Sequence, residues 1–196
     1  DHILVNTNQN FDTQLNKIFF KQLKITNPKY NLKLEGNSSI EKISSILSNV
    51  EIIIRKEKPD GFLVLGDTNS ALSAYVAKRY KVPIFHMEAG NRSFDLRVPE
   101  EINRAIVDKL SDINITYSQN AKENLIQEGF DLDKIIISGS PLYEVYLNYK
   151  KNIENSNILK KIGLKKNNYF LLSVHREENI ENIKKLKIIF ETINKI

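Results

Sequence analysis

Four polar segments hold most of the side chains able to do chemistry: Gly66-Asp67-Thr68-Asn69-Ser70, His86-Met87-Glu88-Ala89-Gly90-Asn91-Arg92, Pro99-Glu100-Glu101-Ile102-Asn103-Arg104 and His175-Arg176-Glu177-Glu178-Asn179. Carboxylates and a histidine gathered in one crevice suit the removal and return of a proton at carbon, where acids with separated pKa values divide the work. Metal binding is the rival use. The chain has no cysteine and only three histidines, no His-x-x-x-His pair and no EF-hand spacing, which argues against a dedicated metal site. Gly139-Ser140-Pro141 fits either contact with a phosphate or a plain turn, and no Walker or GxGxxG fingerprint is present.

Each of these residues also has a plainer account. Asp67 stands between an apolar run and a helical pattern, the usual place of a helix N-cap. Glu88 could pair with Arg92. Glu100 and Arg104 are spaced i,i+4, as in a surface-helix ion pair, while Pro99 marks a helix start whose dipole favours an acid. His175 could be a hydrogen-bonded structural histidine.

The elements that must position these groups alternate. Apolar, β-branched runs at Ile3–Val5, Gly61–Leu65, Val82–Phe85, Ile113–Tyr117, Ile135–Ser138 and Tyr169–Val174 read as strands. Helical patterns between them argue for parallel strands joined by crossovers, an α/β fold in which ligands bind beyond the carboxyl ends of the strands. All four polar segments fall there. Ser38 and Glu41 form a capping box ahead of a face built from Ile40, Ile43, Leu47, Val50 and Ile54, ending before Pro59. Leu72, Tyr75, Val76 and Arg79 mark a second helix, and Ile102, Ile106, Val107 and Leu110 the packing face of a third. Gly129 and Gly163 sit where helices should stop. The polar stretch Tyr149–Asn157 reads as a linker. The expectation is a Rossmann-like domain over residues 1–150 lacking its first strand, then the opening of a second over 151–196. A start inside an apolar run and a stop inside a helical pattern read as truncation at both ends.

Hydrophobic residues make up 41% and charged residues 27% of the 196, ordinary for a chain that buries a core. No apolar run approaches the roughly 20 residues needed to span a bilayer, so a cytoplasmic protein without membrane contact is expected. Net charge is +5, but the lysines are scattered beside acids with no aromatic residues interleaved, which argues against nucleic-acid binding.

The ordered motifs GDT (from Gly66), HMEAGNR (from His86) and PEEINR (from Pro99), with NTNQNFD before them and ISGSPLYE and SVHREEN after, resemble the non-hydrolysing UDP-N-acetylglucosamine 2-epimerases along essentially the whole chain. The resemblance implies two Rossmann-like domains in a glycosyltransferase-B arrangement, the second truncated here, with the active site between them. It implies elimination of UDP to a 2-acetamidoglycal and re-addition with the proton returned to the other face of carbon 2, without redox cofactor or essential metal. Asp67, Glu88 and Glu100 match the family's catalytic carboxylates and His175 its active-site histidine. Arg92, Asn103, Arg104, Arg176 and Ser140 are the expected substrate-binding set, with His175 and Arg176 suited to the departing diphosphate. Which carboxylate handles which proton stays open. A UDP-sugar substrate and a homodimer are expected partners. Asn6, Asn8 and Phe11 depart from the family's His, Gly and Tyr. The form around Met87–Asp95 looks closer to the capsule and O-antigen branch, similar to enzymes making UDP-N-acetyl-L-fucosamine from a 6-deoxy-L-talose sugar. Alternatives on the same fold are a hydrolysing epimerase, a glycosyltransferase and a non-catalytic UDP-sugar sensor.

Overall fold

The computed structural model describes residues 1–8, 20–174 and 182–195, and the chain separates into two compact units, Asp1–Pro141 and Leu142–Ile196. The first unit holds a four-stranded parallel sheet in sequential order: β3 (Phe62–Leu65), β4 (Ile84–Met87), β5 (Ile113–Thr116) and β6 (Ile135–Ile137). A short parallel pair, β1 (Val5–Asn6) and β2 (Tyr30–Asn31), accompanies it. The α/β class with parallel strands expected from the alternating pattern is what the structure shows.

Helix α1 (Ser39–Glu57) begins at the anticipated box. Ser38 Oγ accepts from Glu41 N at 3.1 Å, and the Glu41 carboxylate accepts from Ser38 N at 2.9 Å. The helix ends at Lys58, in the left-handed conformation ahead of Pro59. Its buried face is Ile46, Val50, Ile53 and Ile54, while Ile40 is exposed. A 3-10 turn (Asn69–Ser73) leads into α2 (Ala74–Arg79). Together with α1, these pack Ala71, Ala74, Val76 and Ala77 onto Val64 and Ile84 of the sheet.

Register sets which side chains share a face. Val64 lies beside His86, and His86 beside Asn114, and this face is covered, with Ile84, His86, Asn114 and Thr116 all buried. On the opposite face Leu63, Leu65 and Ile136 are exposed and Phe85 partly so. β4 runs two residues past the expected Val82–Phe85 because pairing starts at Phe62↔Ile84 and continues to Leu65↔Met87. A polar His86 inside the strand hid that extension.

α3 (Pro99–Leu110) follows, then α4 (Gln119–Gln127) after a Ser118 N-cap, and a 3-10 turn (Leu132–Lys134) before β6. Gly129 adopts φ +82° at the end of α4, as expected for a helix stop.

The second unit contains α5 (Leu142–Glu154), α6 (Ile158–Lys161) and α7 (Ile183–Ile193). The expected linker Tyr149–Asn157 is largely helix, because Tyr149 and Ile153 continue a three-and-four spacing that begins at Leu142, Val145 and Tyr146. The division expected at residue 150 falls inside α5. Residues 169–174 form no strand: a parallel strand needs a hydrogen-bonded neighbour, and no strand is found among the described residues of this unit.

Candidate active site

β4 ends in a tight turn whose backbone is unusual for its residue types. Glu88 takes φ +68°, in the left-handed region where a side chain is disfavoured. Gly90 takes φ +75°, and a Cβ there would lie 2.2 Å from the Ala121 carbonyl oxygen, so α4 can approach only a glycine. The turn is fastened on every side. Ala89 N donates to Ile115 O at 3.2 Å, Asn124 Nδ2 to Gly90 O at 3.0 Å, and Arg104 Nη1 to Glu88 O at 2.6 Å.

Arg104, on α3, gathers the acids. It is buried, and its Nη2 bonds the Asp67 carboxylate and lies 3.5 Å from Glu88 Oε1. One residue earlier Asn103 Nδ2 donates to Asp67 O at 2.9 Å and to Asn69 Oδ1 at 3.1 Å. Two strand-end carboxylates thus share one guanidinium, while an amide fixes the backbone of the first. Asp67 is no helix cap: Thr68 holds that place and makes no side-chain cap bond. Arg104 pairs with Asp67 and Glu88, not with Glu100.

Arg92 does not pair with Glu88 either. Its side chain is buried, with Nη1 2.8 Å from Asp108 Oδ2 and with Nε and Nη2 each 2.7 Å from the Glu128 carboxylate. Burial works against the guanidinium charge, but Glu128 and Asp108 outweigh it and raise the Arg92 pKa. Asp108 Oδ2 also accepts from Gly90 N at 3.2 Å, and Oδ1 faces His86 Nδ1 at 2.7 Å. His86 Nε2 lies 2.9 Å from Gly66 O. A carbonyl only accepts, so that nitrogen carries a proton. Arg92 and His86 are therefore occupied in holding the loops that present Asp67 and Glu88.

Glu100 is exposed on the first turn of α3, one helical turn before Arg104. Its neighbour Glu101 is buried and receives Ser93 N at 2.8 Å and Phe94 N at 3.0 Å, closing the 93–98 loop onto the helix. Ser140 is exposed just beyond β6. His175 and Arg176 lie outside the described residues. The structure thus brings Asp67, Glu88, Asn103 and Arg104 together at the ends of β3 and β4, with Glu100 close by on α3.

The sequence reading overlooked Asp108 and Glu101. Glu101, Arg104 and Asp108 recur at helical spacing, a polar stripe that points inward with Val107 while Ile102 and Ile106 are partly exposed. That spacing was the available signal; an apolar-face argument reads it as the solvent side.

Comparison with known proteins identifies the family. The sequence model of the family described as UDP-N-acetylglucosamine 2-epimerase matches residues 1–196. The chain belongs to this family. It is 39% identical over 200 residues to a UDP-N-acetylglucosamine 2-epimerase of Methanocaldococcus jannaschii, covering 100% of this chain and 55% of that protein. It is equally 39% identical, over 198 residues, to a UDP-2,3-diacetamido-2,3-dideoxy-D-glucuronate 2-epimerase of Pseudomonas aeruginosa, covering 99% of this chain and 54% of that one. A crystal structure of the Methanocaldococcus jannaschii UDP-GlcNAc 2-epimerase with UDP-GlcNAc and UDP superposes with a TM-score of 0.92 at 38% identity, over 100% of this chain and 54% of that one. This epimerase-family chain spans about half the length of the curated relatives it matches. Among its described residues no helix is long and apolar enough to cross a membrane.

Proposed function

We propose that this chain supplies the carboxylate-bearing side of an active site that inverts carbon 2 of a UDP-linked N-acetylamino sugar. The observation that carries the reading is the convergence of Asp67 and Glu88 on the buried guanidinium of Arg104 in a chain of this family. One group removes the proton at carbon 2 as the bond from carbon 1 to the UDP oxygen breaks, giving UDP and a 2-acetamidoglycal. UDP then re-adds at carbon 1 while a proton is delivered to the opposite face of carbon 2, so the reaction is redox-neutral and needs no redox cofactor. Asp67, Glu88 and Glu100 are the proposed proton-handling set. Asn103 and Arg104 orient it, and His175, Arg176 and Ser140 are assigned to the diphosphate. Arg92 belongs to the frame behind the site.

The choice of sugar is open between UDP-N-acetylglucosamine, a 6-deoxy-L-talose sugar and a diacetamido uronate. The archaeal and Pseudomonas relatives are named for different sugars yet stand at the same 39% identity, so overall identity does not decide, whereas inversion at carbon 2 is common to both names. The wider proposal is two Rossmann-like domains in a glycosyltransferase-B arrangement, the first ending around α5, working as a cytoplasmic homodimer in surface-polysaccharide synthesis. The family resemblance and the form of the 87–95 segment support it.

The test is product analysis after incubating the full-length protein with each candidate UDP-sugar. The carbon-2 epimer still linked to UDP is the expected product. Free N-acetylmannosamine points to the hydrolysing alternative, and an unchanged sugar that stays bound points to a sensor.

A further inference from the structure

Helix α3 carries Glu100 on its first turn, and that turn lacks the usual fastening. The first turn of a helix leaves amide donors unpaired and is fixed most often by a Ser, Thr, Asp or Asn side chain at the N-cap. Here the N-cap is Val98, which makes no side-chain cap bond. Arg104 ties α3 to Asp67 and Glu88, but it does so one turn further along the helix.

Glu101 holds the start of the helix instead. In a capping box the acid at its position, the third of the helix, reaches back to the amide of the N-cap. Glu101 reaches further. Its Oε2 accepts from Ser93 N at 2.8 Å and from Ser93 Oγ at 3.2 Å, and its Oε1 from Phe94 N at 3.0 Å. The residue is only 6% exposed, and among the described residues no cation pairs with its carboxylate. Burying a charge against dipoles alone is costly, and Phe94 adds backbone strain with φ +57°. A serine in place of Val98 would cap the helix without either cost. What the longer reach adds is a fixed path for the segment joining the Glu88 turn to the Glu100 turn. Asp95 completes that path, accepting Arg97 N on Oδ1 at 3.1 Å and Val98 N on its carbonyl at 3.0 Å.

We propose that Glu101 is a positioning residue of the reaction: through the amides of Ser93 and Phe94 its carboxylate sets the first turn of α3, and with it the place from which Glu100 meets the sugar. The inference rests on the epimerase reading above, which puts Glu100 in the proton-handling set and gives Glu101 no role.

A double-mutant cycle in the full-length protein tests this, read by carbon-2 proton exchange in D₂O and by steady-state kinetics with whichever of the three candidate UDP-sugars the wild type turns over. Glu101→Gln keeps the size of the side chain but leaves one accepting oxygen where two amides each meet their own. Its kcat should fall about 10-fold, within the range that a small misplacement of a reacting group produces, while KM stays close to the wild-type value. In a Glu100→Gln background the same change should slow exchange by no more than about twofold, because a residue that acts through Glu100 then has nothing left to place. An unchanged kcat in folded Glu101→Gln, with only a lowered urea midpoint, overturns the proposal and leaves Glu101 a purely structural acid. A further loss of about 10-fold on top of Glu100→Gln overturns it as well, and so does a raised KM at constant kcat. If Glu101→Gln does not fold, Glu101→Asp carries the same cycle, since it keeps the charge but is one methylene too short to reach both amides. A wild type that exchanges the carbon-2 proton of none of the three sugars refutes the epimerase reading and this inference with it. Near-normal exchange by Glu100→Gln leaves that reading standing and removes this inference alone.

Discussion

His86 and Asp108 face each other in complete burial, ring Nδ1 2.7 Å from carboxylate Oδ1. Through the bond from the other ring nitrogen to the Gly66 carbonyl, this contact ties α3 to the ends of both β3 and β4. Asp108 also holds Arg92 and the amide of Gly90. It is the hub on which the presentation of Asp67 and Glu88 depends.

Asp108→Asn removes the charge that Arg92 and His86 share while leaving both buried. Breaking a buried charge pair from one side costs about 3–5 kcal/mol. Urea unfolding should show that loss, with a lower midpoint and an unchanged slope. A loss under about 1 kcal/mol, the scale of an exposed pair, would mean that the cluster is not held as described.

Gly90→Ala meets two obstacles, a positive φ and the Ala121 carbonyl 2.2 Å from the new methyl. Strain and overpacking of this kind each cost about 1–3 kcal/mol. Gly129→Ala is the control, with φ +82° but nothing within 4 Å, so only the backbone cost applies, about 1–2 kcal/mol. Thermal unfolding of the two variants side by side should place Gly90→Ala clearly lower; equal midpoints would contradict the close approach of α4.

Asp112 accepts from Lys78 Nζ at 2.7 Å and from Ile84 N at 2.9 Å. Burial pushes its pKa up, but those two donors outweigh burial and leave it lowered. A carboxyl depressed by folding contributes stability above its unfolded value, near pH 4, and loses it as pH falls through the folded value. The carboxylate is about half exposed, so the contribution is under about 1 kcal/mol. Asp112→Asn should lower the urea midpoint at pH 7 and reduce the further decline between pH 4 and pH 2. Parallel acid limbs for wild type and variant would show that Asp112 does not titrate in this way.

Much of the frame was legible in the sequence. The Ser38–Glu41 box, the strands at 61–65, 113–117 and 135–138, and the polar segments beyond them follow local rules that tertiary packing did not override. What stayed hidden was buried polarity. His86 lies inside β4 because Asp108 and Gly66 satisfy both ring nitrogens, partners that no periodicity reveals. α3 turns Glu101, Arg104 and Asp108 inward for the same reason, against the face that Ile102 and Ile106 suggested. The 142–154 helix ran through an expected linker because its apolar positions begin upstream of the stretch read as polar.

The central claim is proton exchange at carbon 2 by the Asp67, Glu88 and Glu100 set, and deuterium incorporation reads it directly. The full-length protein, incubated in D₂O with a UDP-N-acetylamino sugar that it binds, should wash out the carbon-2 proton signal in the NMR spectrum as the epimer appears. Asp67→Asn, Glu88→Gln and Glu100→Gln should each slow that exchange by about 100-fold or more while folding normally. A bound sugar that keeps its carbon-2 proton in the wild type, or near-normal exchange in all three variants, would contradict the account.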